Sequence, residues 1–421
     1  MPLEFHQIVD QVYRMGGMLT HIPNEYHKLM QLALERFNAA GDLARVRERI
    51  AWVRAPNVSG YRGAAPLELD TAEPINAVFD PPQEPPQAVI MACDGGQIYP
   101  NENAIWHYYL INVGLFVYFH GSGHTPIPMT FPQLVFHPSE VHDRYGRVVS
   151  NRTVDDRRTL AELRILSEHV RVYAYPNVPL LALYDNRLMY LPHSDDDNAL
   201  LMRAFFDTMA AMRDQGALLA GYVDNPFRSK RFLQLLYLLS LETQAAVHDQ
   251  QVYLARCGDL EGLRDRDFFN HVLKPGQRSA VMVQNSPQNR DFKDRGRDFE
   301  IAFFYLKVVS ALDETRVVRV DLPMWVARER AAVDAVHALL LSQCRLHGRV
   351  PYPYAIARAD ELAYVSYQDS RKLDEMIHAE ARRARQELVL AALTAKATSK
   401  ELARSPKRAH TMIGSEVIDR E

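Results

Sequence analysis

Twice in this chain an apolar run of strand character ends on an aspartate. Val89-Ile90-Met91-Ala92-Cys93 meets Asp94-Gly95-Gly96, and the run "VPLLALY" meets Asp185-Asn186. A short continuous apolar run closed by turn residues reads as a buried strand. Between the two lies "TVDDRRTLAELRILSEHV", residues 153 to 170, a helical pattern with Thr153 or Asp155 as its expected cap. Two such strands in one sheet bring Asp94 and Asp185 to one edge. On the helix, Leu160, Leu163, Leu166 and Val170 form an apolar stripe at about 100° per residue. Glu162 falls about 40° from Leu166 at that periodicity, at the rim of the stripe, while Glu168 points to solvent. The bland alternative is ordinary turn chemistry, since Asp bonds its own backbone and Gly accepts positive φ.

The rest of the chain fits an α/β protein. Residues 1 to 54 read as helical, with Asn24 as a cap and Gly41 as a stop. The proline-rich stretch 55–85, with "DPPQEPPQ", reads as a connector. "AIWHYYLINVGLFVYFHGSG", 104 to 123, reads as strand, turn, strand, and "HGSGH" as a hairpin turn. Helices are expected at 197–214, 228–248, 328–346 and 355–392. Strands are expected in "ALLAGYVDN", around 279–284 and 300–309, and in "RVVRVDLPMWV". The main body spans 86–375. Residues 376–421 form a helix end and a basic tail expected to be mobile. Mixed strands followed by helices indicate a mixed central sheet flanked by helices, with a helical amino-terminal addition.

Composition narrows the function classes. A net charge of −3 over 421 residues gives no global field for nucleic acid, so such a site must be local. Cys93, Cys257 and Cys344 lack C-x-x-C spacing, which argues against a zinc ribbon and suits a reducing cytoplasm. "MPLEFHQIVDQ" lacks the basic and apolar regions of a secretory leader, and no apolar run is long enough to span a membrane.

Clustered acids need a counter-charge. Two carboxylates about 4 Å apart repel by roughly 4 kcal/mol at an effective dielectric of 20. A divalent cation removes that repulsion, and all-oxygen sites suit Mg²⁺ or Mn²⁺ rather than zinc. Two such ions can stabilise both the attacking and the leaving oxygen of a phosphodiester displacement. Local cations suited to phosphate are Arg228, Lys230 and Arg231 in "NPFRSKRF", Arg278, and Lys307 in "FFYLKV". His120, His124, His137 and His142 match no zinc-ligand spacing.

The order of these signals resembles the NurA nuclease family. The matching features are a strand ending in Asp-Gly, an Arg-x-x-x-Glu helix (Arg158, Glu162), and a second strand ending in Asp. "GYVDNPFRSK", "LKPGQRS" and "GRVPYPYAIARADELAYVS" are similar to the family's later motifs, so the resemblance covers about residues 85 to 370. It implies an RNase H-like core and a Mn²⁺-dependent nuclease acting on DNA. It also implies a homodimer docking on the hexameric HerA translocase in DNA end processing. Carried over by position, Asp94, Glu162 and Asp185 match the metal ligands, Arg158 the motif arginine and Tyr352 the motif tyrosine. Three positions depart: Asn186 where glycine is usual, Asp224 where lysine is frequent, and Asp360 where histidine is common.

The expected protein is therefore a metal-dependent deoxyribonuclease using Mn²⁺ or Mg²⁺, two ions in all. Its ligands are Asp94, Glu162, Asp185 and Asp360, and Tyr352 orients phosphate or water. Arg158, Arg228, Lys230, Arg278 and Lys307 are its expected DNA contacts. A nuclease-dead adaptor docked on a translocase is the alternative. A glycoside hydrolase with Asp94 and Asp185 flanking a metal-free groove is a third reading.

Overall fold

The run that begins at Ala88 does not stop at its acid. It continues as one strand to Ile98, and Asp94 lies inside it, paired with Gly114 of the next strand. The computed structural model describes residues 5–19, 22–54, 60–192, 198–226 and 228–383.

Among these, the strands are β1 (Ala64–Pro66), β2 (Val78–Phe79), β3 (Ala88–Ile98), β4 (Tyr109–His120), β5 (Ile127–Val135) and β6 (Leu180–Tyr184). They continue with β7 (Leu218–Val223), β8 (Arg278–Ser279), β9 (Met282–Gln284), β10 (Ile301–Val309) and β11 (Thr315–Pro323). The helices open with α1 (Val9–Leu19), α2 (Ile22–Asn38), α3 (Leu43–Arg54), α4 (Pro138–Val141), α5 (Asn151–Tyr173) and α6 (Asn198–Asp214). Then come α7 (Arg231–Ser240), α8 (Gln244–Asp249), α9 (Gln251–Leu254), α10 (Asp265–Val272) and α11 (Pro287–Arg295). The last are α12 (Met324–Ala327), α13 (Arg330–Leu346), α14 (Tyr354–Ala363) and α15 (Tyr367–Arg383).

All eleven strands join one mixed sheet, in the order β1-β9-β10-β11-β7-β6-β3-β4-β5, with β2 and β8 off this path. β3, β4 and β5 form an antiparallel meander, and β6 and β7 add in parallel beside β3. Parallel neighbours need a crossover, and α5 and α6 supply the two. The order β5-β4-β3-β6-β7 is that of an RNase H-like core. β11, β10 and β9 extend it antiparallel from β7. The central strands are covered on both faces, which is why β6 and the first six residues of β3 are apolar throughout and fully buried.

Several expectations change. The stretch 55–85 is not a connector: β1 pairs with β9, and Ala64, Ala65, Leu67 and Ile75 are buried. Pro66 lies in β1 at the end of the sheet order, where a missing N–H on the open side costs no ladder bond; residues 55–59 lie outside the described ones. The helices before residue 54 are not all an outer addition either. Phe37 of α2 packs edge-on against Phe232 and Phe268, and Val46, Ile50 and Val53 of α3 are buried. In 104–123, β4 is a single strand, because Gly114 accommodates a packed helix rather than a turn. α5 is capped by Ser150, whose side chain accepts from the Thr153 N–H, one turn ahead of the expected cap. The helix expected over 228–248 divides at Leu241, and that over 355–392 at Tyr364. The expected basic tail, from 384 onward, lies outside the described residues. Among the described residues no helix is long and apolar enough to cross a membrane.

Candidate active site

The acids gather because glycines let other chain segments press onto β3 and β4. A Cβ on Gly95 would lie 2.3 Å from Glu162 Oε1 and 2.6 Å from Arg158 Cγ. One on Gly114 would lie 2.4 Å from the Ala359 carbonyl oxygen, and one on Gly96 would meet that of Ala363. So α5 brings Glu162 and Arg158 across one face of β3, and α14 crosses the other. Asn112 secures α14 by donating from Nδ2 to the carbonyls of Leu362 and Ala363, both at 3.1 Å. The buried side of α14 is small: Ala355, Ile356, Ala359 and Ala363. Small residues permit the close approach, and Asp360 follows Ala359 onto the sheet edge.

β6 stops at Tyr184, opposite Cys93. Asp185 and Asp94 are therefore the next residues on two neighbouring parallel strands, both half-buried. Asp94 Oδ1 accepts from the Gly95 N–H at 2.8 Å, and its carboxyl is close enough to exposed Asp360 for the two acids to act on each other. Asp185 Oδ2 accepts from the Tyr352 hydroxyl at 2.8 Å. Glu162 is only 5% exposed, deeper than the rim its helical phase suggested. It faces Arg158 Nε at 3.3 Å, while Arg158 Nη1 donates to Gln97 Oε1 at 2.7 Å and to the Gly95 carbonyl at 3.3 Å.

The electrostatics are those of an acid cluster short of positive charge. Burial above all, then Asp94 and Asp185, pushes Glu162 up to about 8, with Arg158 opposing. Burial, then Asp94, Asp224 and Asp360, pushes Asp185 up to about 6 against the Tyr352 hydrogen bond. Asp94 is raised by burial and then by Asp360, while its Gly95 hydrogen bond opposes. Burial and Asp185 raise the Tyr352 phenol, which stays protonated and donates.

All five expected catalytic residues thus meet at one sheet edge, with Arg158 beside them. A fifth acid, Asp224, follows the end of β7 on that edge. Its Oδ2 pairs with Arg316, and its Oδ1 is buried without a hydrogen-bond partner. The sequence signalled Asp224 only as a departure from a basic position. Among the described residues no three His, Cys, Asp or Glu close on one point as a metal cage. The acids are instead paired off, Asp94 with Asp360, Asp185 with Tyr352, and Glu162 with Arg158. The donor set is nonetheless all oxygen, and the raised carboxyl groups are those a divalent cation would relieve. These residues fit Mn²⁺ or Mg²⁺.

The expected DNA contacts separate. Arg228 is exposed and Lys230 half-buried in the turn between β7 and α7. Lys307, near the end of β10, is half-buried and donates to the Asn270 carbonyl at 2.7 Å. Arg278 does not fit a phosphate contact. It is fully buried, bonded through Nη1 and Nη2 to Glu73 at 2.9 and 2.7 Å and stacked on Phe79. Its charge is neutralised inside the protein.

A mixed sheet in this order, with acids where β3 and β6 separate and on the two helices across them, defines an RNase H-like domain with a cluster of carboxylates at one edge. The profile of the NurA domain matches residues 88–365, and the chain belongs to that family. Among solved structures, the NurA nuclease from Sulfolobus solfataricus is similar at 13% identity and a TM-score of 0.45, over 90% of this chain and 98% of that one. A NurA bound to dAMP and manganese is similar at 10% identity and a TM-score of 0.36, over 88% and 96%. The catalytic domain of human endonuclease V follows at 12% identity and a TM-score of 0.26, over 81% and 95%. No curated protein matches the chain by sequence.

Proposed function

We propose that this protein is a metal-dependent deoxyribonuclease that hydrolyses phosphodiester bonds as an exonuclease, an endonuclease or both. The observation that carries the reading is the meeting of Asp94, Glu162, Asp185 and Asp360 at one edge without enough positive charge to balance them. Mn²⁺ or Mg²⁺ held there, two ions in this reading, would supply charge neutralisation of the phosphate and acidification of a water. The chain's own groups do the rest. Tyr352 holds Asp185 in place, and Arg158 holds Glu162 against the glycine-lined strand. Arg228, Lys230 and Lys307 lie in the elements that follow or end the neighbouring strands, where they can face the DNA backbone.

The deciding experiment is cleavage of end-labelled single- and double-stranded DNA with Mn²⁺, Mg²⁺ or EDTA. Cleavage in either metal and none in EDTA is expected. A protein that cleaves neither substrate yet is thermally stabilised by Mn²⁺ would be the adaptor form. No stabilisation by any divalent metal would remove the metal reading altogether.

Docking on a HerA-type translocase, and a homodimer, belong to the same proposal. The exposed Phe5, Val9, Val12, Tyr13 and Met15 around α1 support a docking role for the amino terminus. α2 and α3 pack into the core, so the test removes residues 1–19 only. The truncated protein should cleave short DNA and fail to co-elute with the ATPase; continued co-elution places docking elsewhere.

A further inference from the structure

Behind the turn that follows β6, on the side away from Tyr352, three arginines gather. Arg319 of β11 is buried, with Nε on Asp321 Oδ1 at 2.6 Å and its guanidinium stacked on Phe303 at 4.0 Å. Its Nη1 is buried and has no hydrogen-bond partner. Exposed Arg187 and half-buried Arg231 flank it, and for each the strongest neighbouring charge is that of Arg319. Among the described residues neither makes an ion pair or a side-chain hydrogen bond.

The acids nearby are already committed. Asp321 also accepts from the Leu188 N–H at 3.3 Å, fixing the turn that carries Arg187. Asp265 accepts from Ser229 Oγ, the Tyr305 hydroxyl and the backbone N–H groups of Phe232 and Leu233, so it caps α7. Two carboxylates against three guanidiniums leave one positive charge over. Like charges crowded at a partly buried place repel, and the repulsion is relieved by an anion. Burial, then Arg319, holds Arg231 below the usual arginine value.

Position says which anion. Asp185 and Arg187 are two residues apart, at most about 7 Å along the chain, and the turn between them lies over Gly221, where a Cβ would be 2.5 Å from the Asn186 carbonyl. The cationic corner and the carboxylate edge are therefore the two sides of one turn. We propose that Arg187 and Arg231, backed by the charge of buried Arg319, form a phosphate subsite that holds a backbone phosphate of the DNA strand beside the one at the carboxylates. This rests on the nuclease reading for its substrate, but the anion chemistry of the corner stands independently of cleavage. Arginine suits it because its planar fork meets phosphate oxygens in pairs.

The test uses the full chain in EDTA, so that no cleavage intervenes. Binding of a labelled single-stranded oligonucleotide is measured across salt concentrations for the wild type, Arg187→Ala and Arg231→Ala, with melting curves to show that both variants fold. Each variant should weaken binding about tenfold and flatten the salt slope by about 0.7, one phosphate contact on a single strand. Inorganic phosphate should raise the melting temperature of the wild type and not of Arg187→Ala. A wild type that binds neither probe, or variants with unchanged Kd and salt slope, would overturn the subsite. Loss of Mn²⁺-dependent cleavage with both arginine effects intact would instead remove the nuclease reading and leave the subsite standing.

Discussion

Tyr352 and Asp185, 167 residues apart in sequence, share a 2.8 Å hydrogen bond that ties the segment ahead of α14 to the end of β6. That bond lowers the Asp185 pKa against burial and its acidic neighbours. Tyr352→Phe removes it, so Asp185 should protonate at higher pH and the acid limb of the cleavage profile should move upward. The stability change should be near 1 kcal/mol, as for one hydrogen bond. A pH–rate profile settles this; an unmoved acid limb would show that the pair has no part in catalysis.

Asp94→Asn and Asp185→Asn should each abolish cleavage in Mn²⁺. Each removes a charge from a crowded acid cluster, so the metal-free melting temperature should hold or rise while stabilisation by Mn²⁺ falls. Near-normal Mn²⁺-dependent cleavage by either variant would overturn the assignment of these acids.

Glu162 sets a pH dependence whose sign is fixed. Its folded value, about 8, lies above the ordinary 4.5, so the folded state binds the proton more tightly than the unfolded chain. Its contribution is complete below about 4.5 and is lost as pH rises toward about 8. In EDTA the unfolding free energy should therefore fall through that window, by at most about 1.4 kcal/mol per pH unit from this one group, and the melting temperature with it. Glu162→Gln should flatten the fall. An equal slope in the variant would assign it to other groups.

The glycines separate steric roles. At Gly114 an added Cβ meets backbone, the Ala359 carbonyl, which cannot move without shifting α14. Gly114→Ala should destabilise by about 1–3 kcal/mol, as overpacking does. At Gly95 the obstacle is side chain and not backbone, the Glu162 carboxyl oxygen and the Arg158 stem. Gly95→Ala should melt closer to wild type and lose activity by displacing Glu162. The reverse ranking in thermal melts would contradict this account.

Asp360 is the position at which the sequence departs from the histidine that the family resemblance implies. Because it lies beside Asp94 and raises that carboxyl, Asp360→Ala should cut cleavage strongly at limiting metal. Asp360→His should restore it better in Mn²⁺ than in Mg²⁺, since imidazole suits the softer ion. Wild-type rates in the alanine variant would leave this residue as a surface aspartate.

Sequence alone determined the two apolar runs that become β3 and β6, the α5 crossover between them, and the acids at their ends. Continuous apolar strands and a periodic helix are local patterns, and parallel strands joined by a helix set the acids that close their apolar runs side by side. It also determined Tyr352 and Asp360 by the order of motifs, without saying that they reach the same edge. The tertiary structure decided what the glycines are for. Gly95, Gly96 and Gly114 look like turn residues, and only the arrival of α5 and α14 reveals that they admit Glu162 and a helix backbone. It also decided which cations are free. Arg278 and Arg231 look alike as basic residues in polar segments, yet Glu73, from a stretch that reads as a connector, buries and neutralises the first. Charge balance depends on partners far apart in the chain, so folding alone assigns it.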